Sequence, residues 1–268
     1  MLSTRKSPAT RRNPKVVPRQ IPREASNDKW LAARAKPGAL VLVGGSTLAD
    51  FRVRVAQGHV RHDLLPSFWS LAAVFESPRA LLSVPLDVGR DVSAVPANNG
   101  IRRCTLAEFA DPKRYPNVAV LHFAEPAESI VRNSHALRTQ RSAIDLPSLL
   151  VPWLAFIWGA GTSPNPLTQN IGVPSAAFVE TAFGMAGIEL TPGLVAGSSC
   201  PEAIWQSAAW WYEYYERTAD VQGAAIAPGA PPTARPRGRR EEPRPRVIVP
   251  HGEYIVRQPA AAVIVETT

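Results

Sequence analysis

Two residues of this chain sit where a nucleophile could be placed, Ser175 and Cys200, each at the expected start of a helix. The run PSAAFVETAFGMAGI repeats Phe178, Ala182, Met185 and Ile188 at helical spacing, so Ser175 falls in its first turn. A helix start offers the positive end of the dipole, which favours an anionic oxygen or sulfur. A serine still needs a base within hydrogen-bond reach. His59, His62 and His122 are the candidates, and His59 or His62 would equally have to serve Cys200. The neighbouring pair His62-Asp63 is a poor acid–base unit, because adjacent strand residues point to opposite faces. The bland reading of Ser175 is an N-cap. Cys200 sits inside Ser199-Cys200-Pro201-Glu202, which reads as a capping box with proline in the first turn. Cys104 follows Arg102 and Arg103, cations that favour a thiolate, but no base adjoins it. Gly44-Gly45-Ser46 lacks the lysine and spacing of a phosphate loop, and no cysteine–histidine cluster has metal-ligand spacing. No metal and no cofactor are expected.

These residues need a scaffold, and the chain supplies one. Ala39–Val43 and Trp69–Phe75 are continuous apolar runs of strand length. Val118–Phe123 is a third, and Leu81–Val84 and Asp91–Val95 are shorter strand candidates. Leu48–Ala56 fits helix or strand. Asn98-Asn99-Gly100 is a turn signal, and Thr105–Ala110 a short helical turn. Helices are expected at Ala143–Trp158, Ser175–Gly187 and from Ser199 through Trp205, Trp210, Trp211 and Tyr215. Residues 219–246 are rich in Pro and Arg and read as a linker. Val247–Val249, Glu253–Val256 and Ala262–Val265 form a β-prone tail, with Pro250-His251-Gly252 as a turn. Three such short runs are unstable alone, so they must pack on the core or on a partner's sheet edge.

The ordered set PGALVLV, HDLLPSFWSLAAVF, VSAVPANNGIRRCTLAEFADPKRYPNVAVLHF, PSAAFVETAFGMAGIEL and SSCPEAIWQSA resembles the permuted papain-like proteins related to the NlpC-type peptidases. The resemblance covers roughly residues 37–212. It implies an α+β fold: a small, mostly antiparallel sheet or partial barrel packed against helices, with extended N- and C-terminal tails. In that family a histidine on a strand precedes a cysteine at the start of a later helix. Here the resemblance places the histidine position on Leu71, the third polar position near Ser93 and the cysteine position on Ser175. Leucine accepts no proton, and a serine without a base is a weak nucleophile. The resemblance therefore implies a pseudoenzyme: a catalytically degenerate domain used as a structural or binding module within a larger protein assembly. The alternative is a Ser- or Cys-dependent hydrolase or acyltransferase with a displaced base.

The formal net charge of +8 is carried by the ends. Residues 1–37 read as an extended, basic, proline-rich arm ahead of a domain spanning 38–218. Arg5, Lys6, Arg11, Arg12 and Lys15, with Arg237, Arg239 and Arg240, could meet nucleic acid or another anionic surface, a third functional reading. Protein partners are expected through the arm and the β-prone tail. Two cysteines form no disulfide framework, and the first residues show no secretory signal. A cytoplasmic or intracellular-assembly setting is the expectation.

Overall fold

The computed structural model describes residues 26–61, 63–86, 99–123, 127–141, 143–159, 163–211 and 251–257. The fold is α+β. Its strands are β1 (Leu40–Gly44), β2 (Leu71–Ser77), β3 (Ala80–Ser83), β4 (Arg102–Thr105), β5 (Asn117–His122) and β6 (His251–Val256). They form one open sheet in the order β4-β3-β2-β1-β5-β6, and every pairing is antiparallel. The helices are α1 (Asn27–Ala32), α2 (Leu48–Ala56), α3 (Ala127–Thr139), α4 (Leu146–Trp158), α5 (Pro174–Gly184) and α6 (residues 201–211).

The central strands are unbroken apolar runs because both faces of the sheet are covered. Leu40, Leu42, Ala72, Val74, Ala119 and Leu121 face a large core completed by α2 to α6. Val41, Val43, Ala73, Phe75, Val118 and Val120 face a smaller core closed by Trp30, Leu31, Leu106 and Phe109. Helix α1 therefore belongs to the domain. Residues 27–32, read from composition as part of the arm, bury Trp30 and Leu31, and Asn27 Nδ2 donates to the carbonyls of Phe109 and Tyr115.

Leu48–Ala56 resolves as helix, capped by Thr47, whose hydroxyl accepts the Asp50 N–H. Helix α4 opens with Pro147 in its first turn and ends on Gly159 in the left-handed conformation. Of Asn98-Asn99-Gly100, Asn98 lies outside the described residues; the chain bends at Gly100, which has φ +72°, and Asn99 Nδ2 donates to the carbonyls of Leu137 and Gln140 at the end of α3. His251 and Gly252, expected in a turn, belong instead to β6, and Pro250 lies outside the described residues. Gly252 lies flat on β5, where a Cβ would come within 2.4 Å of Leu121 Cδ2. Asp91–Val95, Val247–Val249, Ala262–Val265, the linker and residues 1–25 lie outside the described residues.

Candidate functional site

Helix α5 runs through the larger core, with Ala176, Ala177, Phe178, Val179, Ala182 and Phe183 all buried. Its N-cap is Val173, followed by Pro174, so Ser175 is the second helical residue and caps nothing. The Ser175 hydroxyl points at the sheet and accepts the Ala72 N–H at 3.1 Å. The reason lies in the register. Strand β3 pairs with β2 only as far as Ala73↔Ser83, so Ala72 has no partner residue on β3. Ser175 takes its N–H, and the Ser83 hydroxyl donates to its carbonyl at 2.6 Å. All three residues are fully buried. Buried backbone groups need such partners, and here two serines supply them.

Ser175 and Leu71, the two positions that the resemblance pairs, do not face one another. Leu71 packs in the smaller core, on the sheet face away from α5, while its neighbour Ala72 faces α5. The residue that touches Ser175 is thus Ala72, which carries no base either. His62 and Ser93 lie outside the described residues. His59 is exposed, with Nδ1 3.0 Å from the Ala56 carbonyl. His135 sits 3.3 Å from Glu76 on an exposed surface, and His122 is half-buried at the end of β5. Among the described residues the hydrogen bond at the Ser175 hydroxyl is the one to Ala72, not one to a histidine.

Cys200 immediately precedes α6, and its carbonyl accepts the Ile204 N–H. The expected drop in thiol pKa at a helix start does not occur: burial pushes the Cys200 thiol up to about 12, outweighing the N–H of Ala203. Cys104 is raised as well, first by burial and then by Glu108, against the opposing pull of Arg102. Neither thiol is an activated nucleophile. With an ordinary thiol at 9.0, the Cys200 thiolate at pH 8 is reduced about a thousandfold. Under native conditions both cysteines should resist iodoacetamide, and both should react once the chain is unfolded in urea. Mass spectrometry after timed labelling checks this, and rapid native modification of Cys200 would contradict the burial described.

The capping box at Ser199–Glu202 is not formed either. Ser199 turns back and donates to Glu180 Oε1 at 2.9 Å, beside Thr191 at 2.6 Å. Burial raises the Glu180 carboxyl pKa against the lowering effect of these two hydroxyls. Glu202, fully buried, accepts from the Ser67 hydroxyl at 2.6 Å and from Gln206 Nε2 at 2.7 Å. Its own N–H donates to Gln57 Oε1 at 2.9 Å. Gln57 Nε2 donates to the carbonyls of Val53 and Trp69, and Arg54 Nε donates to the Ser67 carbonyl. Arg61 Nη1 approaches Glu202 at 3.9 Å while its main partner is Asp63. This polar network ties α2, the 57–70 segment and α6 together. The sequence signal for it is weak: Arg54, Gln57, Ser67 and Glu202 stand among other polar residues, and nothing local marks them as buried.

Among the described residues no group of three or more His, Cys, Asp or Glu is placed to hold a metal, and no helix is long and apolar enough to cross a membrane. The basic residues Arg5, Lys6, Arg11, Arg12, Lys15, Arg237, Arg239 and Arg240 lie outside the described residues. Comparison with known protein families, with curated proteins and with solved structures finds no match to this chain.

Proposed function

We propose that this is a non-catalytic domain of papain-like character, used as a structural or binding module. The observation that carries the reading is the Ser175 hydroxyl: fully buried, at the start of the helix where a nucleophile would stand, and engaged by the Ala72 N–H. A nucleophile must be open to substrate and paired with a base, and this hydroxyl instead stabilises a strand end. The facing position on the strand is Ala72 in place of Leu71, a one-residue shift that likewise supplies no base from the strand. Nearby polar groups are likewise engaged within the protein: Glu180 by Thr191 and Ser199, Glu202 by Ser67 and Gln206. A Ser- or Cys-dependent hydrolase finds no such support, since the Cys200 thiol stays protonated at neutral pH.

The test compares the wild-type chain with Ser175→Ala. Hydrolysis of activated esters and peptide amides should be at background for both. The variant should lose about 1–3 kcal/mol of folding stability, because the Ala72 N–H is left buried without an acceptor. Wild-type turnover above background that disappears in Ser175→Ala would refute the proposal.

A further inference from the structure

Strand β6 stands apart from the rest of the domain. Every other described element lies between residues 26 and 211, and β6 joins the sheet only after residues 212–250. It pairs with the whole of β5, from Asn117↔Val256 to His122↔His251. Its side chains alternate between the two cores. Ile255 is buried in the smaller one beside Val118 and Val120. Tyr254 and Val256 pack on the larger one, with the Tyr254 ring 4.8 Å from that of Trp205. The ends are fixed by polar contacts. Arg34 Nε donates to Glu253 at 2.8 Å, Arg257 Nη1 donates to Asn27 Oδ1 at 2.7 Å, and the Arg257 N–H donates to Asn117 Oδ1 at 3.1 Å. A Cβ at Gly252 would come within 2.4 Å of Leu121 Cδ2 and 3.3 Å of the Val120 carbonyl oxygen, so a side chain there would displace the buried Leu121 side chain.

The β5 edge is thus a peptide seat with a readable preference: glycine over a larger residue at 252, an acid at 253, an aromatic at 254, an aliphatic at 255 and an arginine at 257. Main-chain pairing supplies affinity in this mode, and alternate side chains supply selectivity. Without an occupant, Val118, Val120 and Leu121 would lie along an unpaired strand edge.

We propose that this seat takes the 251–257 segment of a second copy of the chain as well as its own, so that copies link by exchanging β6. The connection permits it. Forty peptide steps from residue 211 to 251 reach up to roughly 130 Å, against a domain roughly 40 Å across. Covalent linkage therefore does not dictate which copy receives the strand. A tethered strand competes at an effective concentration at most on the order of millimolar. Exchange becomes substantial when chains approach that density. The occupant is a second copy because the segment with the matching side chains is present in every chain. The inference does not depend on the state of Ser175 and stands even if hydrolysis is found.

The experiment is sedimentation of the full-length chain from about 1 µM to about 1 mM, with and without a synthetic peptide of residues 250–258. A dimer that grows with concentration and is dissolved by excess peptide is expected. Ile255→Asp in the full chain should abolish the dimer and allow saturable binding of fluorescent peptide. A peptide carrying G252V should compete at least about tenfold less well, a comparison that needs no variant protein to fold. A chain monomeric throughout the range, a dimer indifferent to peptide, or equal competition by the G252V peptide would each overturn the proposal.

Discussion

Replacing Glu202 by alanine is expected to remove about 3–5 kcal/mol of folding stability, among the largest losses available from one side chain in this protein. The carboxylate is fully buried and accepts from Ser67 and Gln206, with Arg61 nearby. Truncation leaves the Ser67 hydroxyl and the Gln206 amide facing a void and deprives Arg61 of its inner partner. An orphaned buried donor costs about 1–3 kcal/mol, and the void adds a packing loss. Ser67 is not free to turn elsewhere at no cost, because its oxygen also accepts the Trp69 N–H at 2.9 Å. Glu202→Gln should cost less, about 1–2 kcal/mol. It keeps the volume and one acceptor but presents an amide NH2 where a second donor already points. Urea denaturation measures both: the midpoint should fall in the order wild type, Glu202→Gln, Glu202→Ala, with little change in slope. The double variant with Ser67→Ala should lose less than the two single changes summed, since they share one hydrogen bond. A loss below about 1 kcal/mol for Glu202→Ala would mean that the network does not hold α6 to the 57–70 segment.

The parts of the fold that could be read from the sequence are those with a local physical cause. The middles of β1, β2 and β5 are apolar because they are covered on both faces, and that pattern needs no knowledge of neighbours. Helix α3 carries a fainter signal. Ile130, Asn133, Ser134 and Leu137 are its buried residues, at spacings of three, four and seven, but two of the four are polar and the stripe is thin. Helix α1 was hidden by composition: Trp30 and Leu31 sit among basic residues that suggest a solvated arm. The polar contacts at the start of α6 are hidden for another reason. Ser199 and Glu202 have the spacing of a capping box, a rule about residues three apart. Their actual partners are 19 positions away at Glu180 and 135 positions away at Ser67. Tertiary contacts of that separation outcompete a local cap and leave no periodic trace. Ser175 is the same case, since its role is set by where β3 stops pairing with β2.

Gly172→Ala is expected to cost a comparable amount, about 3–5 kcal/mol, although it adds only a methyl group. Gly172 lies just before α5, pressed against the segment that leads into α6. A Cβ there would stand 2.5 Å from the Ser199 carbonyl oxygen and 2.7 Å from two further backbone atoms. These are main-chain atoms, so no side chain can rotate away and one segment must shift. The shift strains two backbone bonds: Gly172 N–H to the Gly197 carbonyl at 2.7 Å and Val173 N–H to the Ser199 carbonyl at 2.9 Å. It also disturbs the Trp153 indole, which donates to the Gly172 carbonyl at 2.8 Å. Overpacking contributes about 1–3 kcal/mol and each weakened bond about 0.5–1.5 kcal/mol. Gly184→Ala at the end of α5 is the matched control. A Cβ there meets nothing within 4 Å, so that change should be neutral or stabilising by up to about 1 kcal/mol. The two variants separate loss of glycine freedom from loss of close approach. Thiol labelling supplies a local readout: prying the 197–199 segment from Gly172 should loosen the cover over Cys200 and raise its native alkylation rate, whereas Gly184→Ala should leave it unchanged. If Gly172→Ala matched wild type in both urea midpoint and Cys200 reactivity, the starts of α5 and α6 would not be clamped together. The burial of Ser175 and Cys200 would then need another cause.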